Sequence, residues 1–152
     1  MTHSAVSYIL GFVIGDGNIS KTNYLIRLYD QNQQFVEKTL KALFEQSFGI
    51  VPKVSFDKSN NSYLLYKGSK VVWQQLHDLG VPVGRKARTI VIPDHIVLAD
   101  STTKSFFISG VFDAEGSLAS FAEEDRHPRG YPYFELKMFN PKFVEGLGKL
   151  LV

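Results

Sequence analysis

Ile9-Leu10-Gly11-Phe12-Val13-Ile14-Gly15-Asp16-Gly17 is an apolar run that ends on an acid held between two glycines. It occurs a second time as Ile108-Ser109-Gly110-Val111-Phe112-Asp113-Ala114-Glu115-Gly116. Both copies read apolar, small or apolar, Gly, apolar, apolar, variable, small, acid, Gly. A lone Gly-Asp-Gly is usually a turn in which the Asp bonds nearby backbone. A second copy changes that weighting, because a later pattern repeats as well. Arg27-Leu28 through Phe35-Val36-Glu37 lines up with Glu135-Leu136 through Phe143-Val144-Glu145. The offset grows from 99 (115 − 16) to 108 (143 − 35), so the second copy carries nine extra residues, placed around 123–130.

The glycine-rich ends and apolar bodies of both runs predict buried helices, Val6 to Gly15 and Ser105 to Ala114. Gly17 and Gly116 are expected to stop them, Gly17 in the left-handed conformation. Gly11 and Gly15 are four apart, as are Gly110 and Ala114, so each helix has one small-residue face. Such faces let two backbones approach closely. If the helices pack in parallel there, Asp16 and Glu115 meet at their C-terminal ends. Two carboxylates at two negative helix termini repel. A divalent cation relieves that, and Mg²⁺ prefers hard oxygen ligands.

Outward from the helices, Asn18 to Asn23 reads as a polar turn and Tyr24 to Gln31 as an alternating strand with Ile26 and Leu28 facing inward. Gln33 to Phe48 is amphipathic, with Val36, Leu40, Leu43 and Phe44 at helical spacing. Val51 to Phe56 and Ser62 to Lys67 form a hairpin, and Ser69 to Leu79 another helix in which Trp73 is core. Val81 to Ser101 reads as an extended connector holding Arg85, Lys86 and Arg88. Tyr131 to Phe139 alternates as a strand, and Pro141 to Leu151 reads as a helix opened by its proline.

Composition excludes several classes. There is no cysteine, hence no disulfide and no thiolate metal site, and the four histidines are too scattered for zinc. No apolar stretch is long enough to span a bilayer, and no signal-peptide pattern is present, which makes an intracellular, non-membrane protein the expectation. A net charge of +2 says little about partners.

The paired nonapeptides resemble the double signature of LAGLIDADG homing endonucleases in their single-chain, two-motif form. The connector from Leu79-Gly80-Val81 through Arg85-Lys86 to Ile92-Pro93 is similar to that family's inter-repeat segment. In the first copy, Ile14 stands where the family carries an acid that is not the metal ligand. The resemblance implies an α+β fold, a pseudo-two-fold αββαββα pair whose signature helices form the interface beneath antiparallel DNA-binding sheets. The expected division is 1–101, a first repeat with connector, and 102–152, a second repeat that is incomplete, with its later hairpin and last helix not encoded. Completion by a second chain, as a homodimer or domain swap, is one way to cover the gap.

The activity the resemblance implies is double-strand DNA hydrolysis leaving short 3′ overhangs at a long site, in the service of intron homing. Asp16 and Glu115 would hold Mg²⁺ or Mn²⁺, assisted by the carbonyls of Gly15 and Ala114. Outward strand residues Arg27, Tyr29, Gln31, Lys53, Ser55 and Lys137 suit base reading in the major groove. Lys21 and the cluster Arg85, Lys86 and Arg88 suit phosphate. Outward residues are polar in any half-buried sheet, which is the competing explanation. Two other functions fit the same residues: a non-cleaving relative, such as an RNA-splicing maturase or DNA-binding module, and an inactive truncated copy.

Overall fold

The computed structural model describes residues 3–84, 89–121, 131–138 and 140–152. Its centre is a pair of helices, α1 (His3–Asp16) and α5 (Ser101–Glu115). From Ala5 to Ile14 nearly every α1 residue is buried, so this helix has no polar face to give to water. Its small-residue stripe meets that of α5. A β-carbon on Gly11 would lie 2.1 Å from the Phe107 carbonyl oxygen, and one on Gly110 would lie 2.0 Å from the Tyr8 carbonyl oxygen. Tyr8 and Phe107 are 99 positions apart (107 − 8), as are Gly11 and Gly110 (110 − 11). The two contacts are therefore one contact made twice, related by the repeat.

Each helix passes directly into a strand. Gly17 opens β1 (Gly17–Ile19) and Gly116 opens β5 (Gly116–Phe121). Neither glycine supplies a left-handed stop. Gly116 is extended, at φ −79° and ψ 158°, and Gly17 is absent from the positive-φ residues. They are needed for space. A β-carbon on Gly17 would sit 2.8 Å from both Val13 Cα and the Arg27 carbonyl oxygen, and one on Gly116 would sit 2.5 Å from the Phe112 carbonyl oxygen. The chain turns back against its own last helical turn, which a side chain would block.

Strand β1 corrects the reading of Asn18 to Asn23 as a turn. Asn18 pairs with Arg27 and Ile19 with Ile26 of β2 (Leu25–Asp30). Burial of Ile19 and the ladder override the turn preference of asparagine. With β3 (Lys53–Asp57) and β4 (Ser62–Gly68), these strands form an antiparallel sheet in the order β1-β2-β4-β3. Ile19, Ile26, Leu28 and Leu65 seal its inner face.

Between β2 and β3 the chain is helical but irregular: Phe35–Leu40 is wound as a π-helix and continues into α2 (Lys41–Phe48). Gly49, at φ 69°, ends α2 in the left-handed region. Helix α3 (Lys70–Asp78) is capped by Ser69, whose hydroxyl accepts from the Val72 amide at 3.3 Å.

The connector is not simply extended. It contains α4 (Asp94–Val97), and Val81, Ile90, Ile92 and Ile96 belong to the core. Asp100 caps α5 by accepting from the Thr103 amide at 2.8 Å, which starts that helix four residues ahead of Ser105. Beyond α5, β5 pairs with β6 (Tyr131–Leu136) as a two-stranded antiparallel sheet. Strand β5 carried no sequence expectation, and β6 ends before Phe139, which lies outside the described residues along with the loop around 123–130. Helix α6 (Pro141–Leu151) follows. Asn140 caps it by accepting from the Lys142 amide at 3.0 Å, while its own side-chain amide donates to the Ile90 carbonyl at 2.8 Å and fastens the connector to the start of α6. No helix among the described residues is long and apolar enough to cross a membrane.

Candidate metal centre and nucleic-acid interface

Because α1 and α5 run side by side in register, their C-terminal ends coincide. A β-carbon on Gly15 would lie 2.6 Å from Ala114 Cβ and 3.1 Å from Glu115 Cγ. Gly15 and Ala114 thus oppose one another, and the chain places Asp16 and Glu115 immediately beyond them. A cavity of about 710 Å³ opens beside this junction, lined by Asp16, Asp30, Asp113, Ala114 and Gly116, with Asn18, Tyr29, Gln31, Asn32, Asn60 and Ser62 around them. Glu115 is at the junction but is not part of that lining.

Two lining acids, Asp30 and Asp113, were not singled out in the sequence, nor was Tyr8 beneath them. The Tyr8 hydroxyl donates to Asp113 Oδ2 at 2.6 Å. Burial, then that hydrogen bond and the charge of Asp113, push the Tyr8 phenol above its ordinary range. Burial also raises Asp30, helped by the Asp113 charge and opposed by the hydrogen bond that Asp30 accepts from the Asn32 amide. Tyr29 is raised mainly by burial, with the Arg27 charge opposing and the charges of Asp57 and Asp16 adding. Three carboxyl groups, those of Asp16, Asp30 and Asp113, thus line one cavity. Asp113 had a signal, the sixth place of the second nonapeptide; Asp30 and Tyr8 had none.

The donor set bears on which cation would fit. Among the described residues no three His, Cys, Asp or Glu side chains cluster as a metal cage. The acids Asp16 and Glu115 at the helix ends are hard oxygen donors of the kind Mg²⁺ takes, one or two at a time, alongside water.

The outer face of the four-stranded sheet adjoins this cavity. Its register sets Asn18, Arg27, Tyr66 and Lys53 in one row across all four strands. Arg27 Nη1 donates to Asn18 Oδ1 at 3.4 Å. Tyr29, Leu64 and Ser55 form the next row on the same face. Arg27, Tyr29, Lys53 and Ser55 are therefore brought together, and the register adds Asn18 and Tyr66. Gln31 lies past the end of β2, exposed at the cavity rim. Lys21 is exposed in the β1–β2 loop. Lys137 stands apart on the second repeat, paired with Glu135 at 3.3 Å. Arg85, Lys86 and Arg88 lie outside the described residues.

This geometry has counterparts. No family profile matches the chain. Among solved structures, the homing endonuclease I-DmoI in complex with DNA and manganese aligns with a TM-score of 0.54 and 18% identity, covering 76% of this chain and 63% of that one. The homing endonuclease I-WcaI bound to its DNA recognition sequence gives 0.55 and 13%, over 99% of this chain and 66% of that one. The N-terminal LAGLIDADG domain of WhiA gives 0.62 and 15%, over 98% and 64%. The chain has the LAGLIDADG fold. Among curated proteins, it is 25% identical over 123 residues to the ribonucleoside-diphosphate reductase NrdEB subunit alpha of Bacillus subtilis, covering 73% of this chain and 11% of that one. It is 24% identical over 116 residues to a glutamine–fructose-6-phosphate aminotransferase of Methanocaldococcus jannaschii, covering 76% and 10%. The chain spans about a tenth of the length of these curated relatives.

Proposed function

We propose that this chain is a LAGLIDADG DNA endonuclease that hydrolyses both strands of a specific duplex site, acting inside the cell where genomic DNA lies. One observation carries the reading. The backbone-to-backbone packing of α1 on α5 delivers Asp16 and Glu115 to one junction, next to a polar cavity and the open face of an antiparallel sheet. In this reading residues 1–101 and 102–152 are two repeats.

Asp16 and Glu115, with the Gly15 and Ala114 carbonyls, would hold Mg²⁺ or Mn²⁺. When bound, the ion supplies Lewis acidity toward a scissile phosphate. Arg27, Lys53 and Lys21 neutralise backbone phosphates or reach base edges. Asn18 and Tyr66 complete the reading row, and Tyr29, Gln31 and Ser55 face the same groove. The curated relatives support a mobile element. A reductase subunit and an aminotransferase carry out unrelated chemistry, yet each shares only a tenth of its length with this chain.

The test is cleavage of a plasmid library carrying randomised inserts, with Mg²⁺ or Mn²⁺. Linear product should appear, and Asp16→Asn and Glu115→Gln should each abolish it. No product with either metal, or equal product from both variants, would sink the proposal. A second reading, a DNA-binding module that does not cut, is favoured by the likeness to the WhiA domain, which is not named as an endonuclease. It predicts salt-sensitive duplex binding and no cleavage with any metal.

A further inference from the structure

The β1–β2 loop, residues 20–24, is held far more firmly than a surface loop of its length requires. Tyr24 adopts a backbone φ of +51°, a left-handed conformation that disfavours a bulky side chain. Its carbonyl accepts from the Ser69 amide at 3.1 Å. Its ring meets Trp73 edge-on, with centroids 5.5 Å apart, and the Lys70 ammonium lies 5.6 Å from its centroid. The Trp73 indole N–H donates to the Ser20 carbonyl at 2.7 Å. Ser20 closes the loop from within: its amide donates to the Leu25 carbonyl at 2.9 Å, and its hydroxyl accepts from the Leu25 amide at 3.0 Å and bonds Asn23. The Gly84 amide donates to the Ile19 carbonyl at 3.0 Å.

Lys21, Thr22 and Asn23 at the tip are exposed, and Tyr24 beside them is 41% exposed despite its ring contacts. The Lys21 stem runs beside Gly84, where a β-carbon would come within 3.0 Å of Lys21 Cε. Lys21 has no ion-pair partner among the described residues. Strain of this kind persists where surrounding contacts impose it, and an ordered conformation that costs free energy calls for a reason.

We propose that Trp73 and Tyr24 are positioning residues that hold the β1–β2 loop as a preformed contact for a duplex-DNA phosphate, with Lys21 supplying the charge. This rests on the DNA reading above. The loop joins β1 to β2, the strands that carry Asn18 and Arg27. It stands about 13 Å from Asp16 along β1, by the rise of an extended strand, and so addresses the duplex away from the acids. A lysine on a loop already ordered loses less entropy on binding than one on a loose loop. That gain offsets the strain at Tyr24.

The experiment measures binding of mixed-sequence duplex DNA by fluorescence anisotropy over a range of salt. Lys21→Ala should weaken binding and reduce the slope of log K against log salt by about one. Trp73→Phe removes the donor to Ser20; it should weaken wild-type binding severalfold, speed amide exchange at Leu25, and add nothing in the Lys21→Ala background. Tyr24→Gly, which relieves the φ while removing the ring, should do the same if Trp73→Phe fails to fold. Equal weakening by Trp73→Phe with and without Lys21 would show a merely structural role and overturn the proposal. Salt-sensitive wild-type binding that Lys21→Ala leaves unchanged would overturn it while sparing the DNA reading. No wild-type binding at any salt would remove both.

Discussion

The Tyr8 hydroxyl reaches Asp113 at 2.6 Å across the helix pair, and the positions that the repeat relates to these two, Phe107 and Ile14, are both fully buried and apolar. The same place in the interface is thus polar in one half and apolar in the other. That difference marks which helix belongs on which side, because two copies of α1 set against each other would leave the Tyr8 phenol opposite Ile14. A buried hydroxyl without a partner costs roughly 1–3 kcal/mol.

Tyr8→Phe removes the bond without opening a cavity. It should lower stability by about 1.5–3 kcal/mol, the usual range for a hydrogen bond to a carboxylate. Chemical denaturation should show this as a lower midpoint at unchanged m-value. Asp113→Asn keeps an acceptor and should cost less. Equal stability of Tyr8→Phe and wild type would mean that the bond merely replaces hydration.

Gly11→Ala and Gly110→Ala place a β-carbon at 2.1 and 2.0 Å from opposing carbonyl oxygens, so the helices must separate. Each should cost about 1–3 kcal/mol or more, as overpacking does. Gly148→Ala is the control, since nothing lies within 4 Å of its β-carbon and α6 is helical there. It should stabilise by about 0.5–1 kcal/mol. Thermal melts of the three variants decide the order.

Asp30 sets a pH dependence. Its folded-state ionisation is raised, chiefly by burial. Below the ordinary carboxylate range both states are protonated and it costs nothing. As pH rises past that range, the unfolded chain ionises first and stability falls until the folded group also ionises. Asp30→Asn should therefore match wild type in acid and be the more stable at neutral pH. Melting temperatures across the range test this; a difference that grows toward acid would contradict the sign.

Removing either charge at the helix ends has opposite effects with and without a cation. In chelator, Asp16→Asn should gain about 0.3–1 kcal/mol, because a negative charge at a helix C-terminus is unfavourable. With Mg²⁺ or Mn²⁺, wild type should melt higher in proportion to the logarithm of metal concentration, and the variant should not. Wild-type melting indifferent to both metals would leave the junction without a metal-binding role.

Arg27→Ala and Lys53→Ala should each weaken duplex binding and reduce its salt slope by about one, if both contact phosphate. A loss of affinity without a change of slope would place the side chain on a base instead.

The helix pair and its acids were legible because a repeat carries information that one motif does not. Gly11 and Gly15 predicted a face, and Gly110 and Ala114 predicted what met it. The strands that follow were not legible. Asn18 favours turns, and only its pairing with Arg27, nine residues on, makes it a strand residue. Both glycines after the acids were read as helix stops, Gly17 as a left-handed one, when their need is space, a distinction visible only once Val13 and Phe112 are seen behind them. Tyr8 was not legible because it matters through Asp113, 105 positions away, and Asp30 was not because its burial arises only in the fold. The connector looked loose because Ile90, Ile92 and Ile96 follow no single period, yet they are core.

The contacts of Gly11 and Gly110 act as a gauge. Since each helix rests on the other's main chain at these two glycines, the backbone sets the separation of the helix ends, and a side chain added at either glycine would widen it. The sheet carries no such restriction: Arg27, Lys53 and Tyr66 project outward and can be replaced without disturbing the pair. A lineage of such proteins could therefore vary the outer face of the sheet while the spacing between Asp16 and Glu115 stays constant.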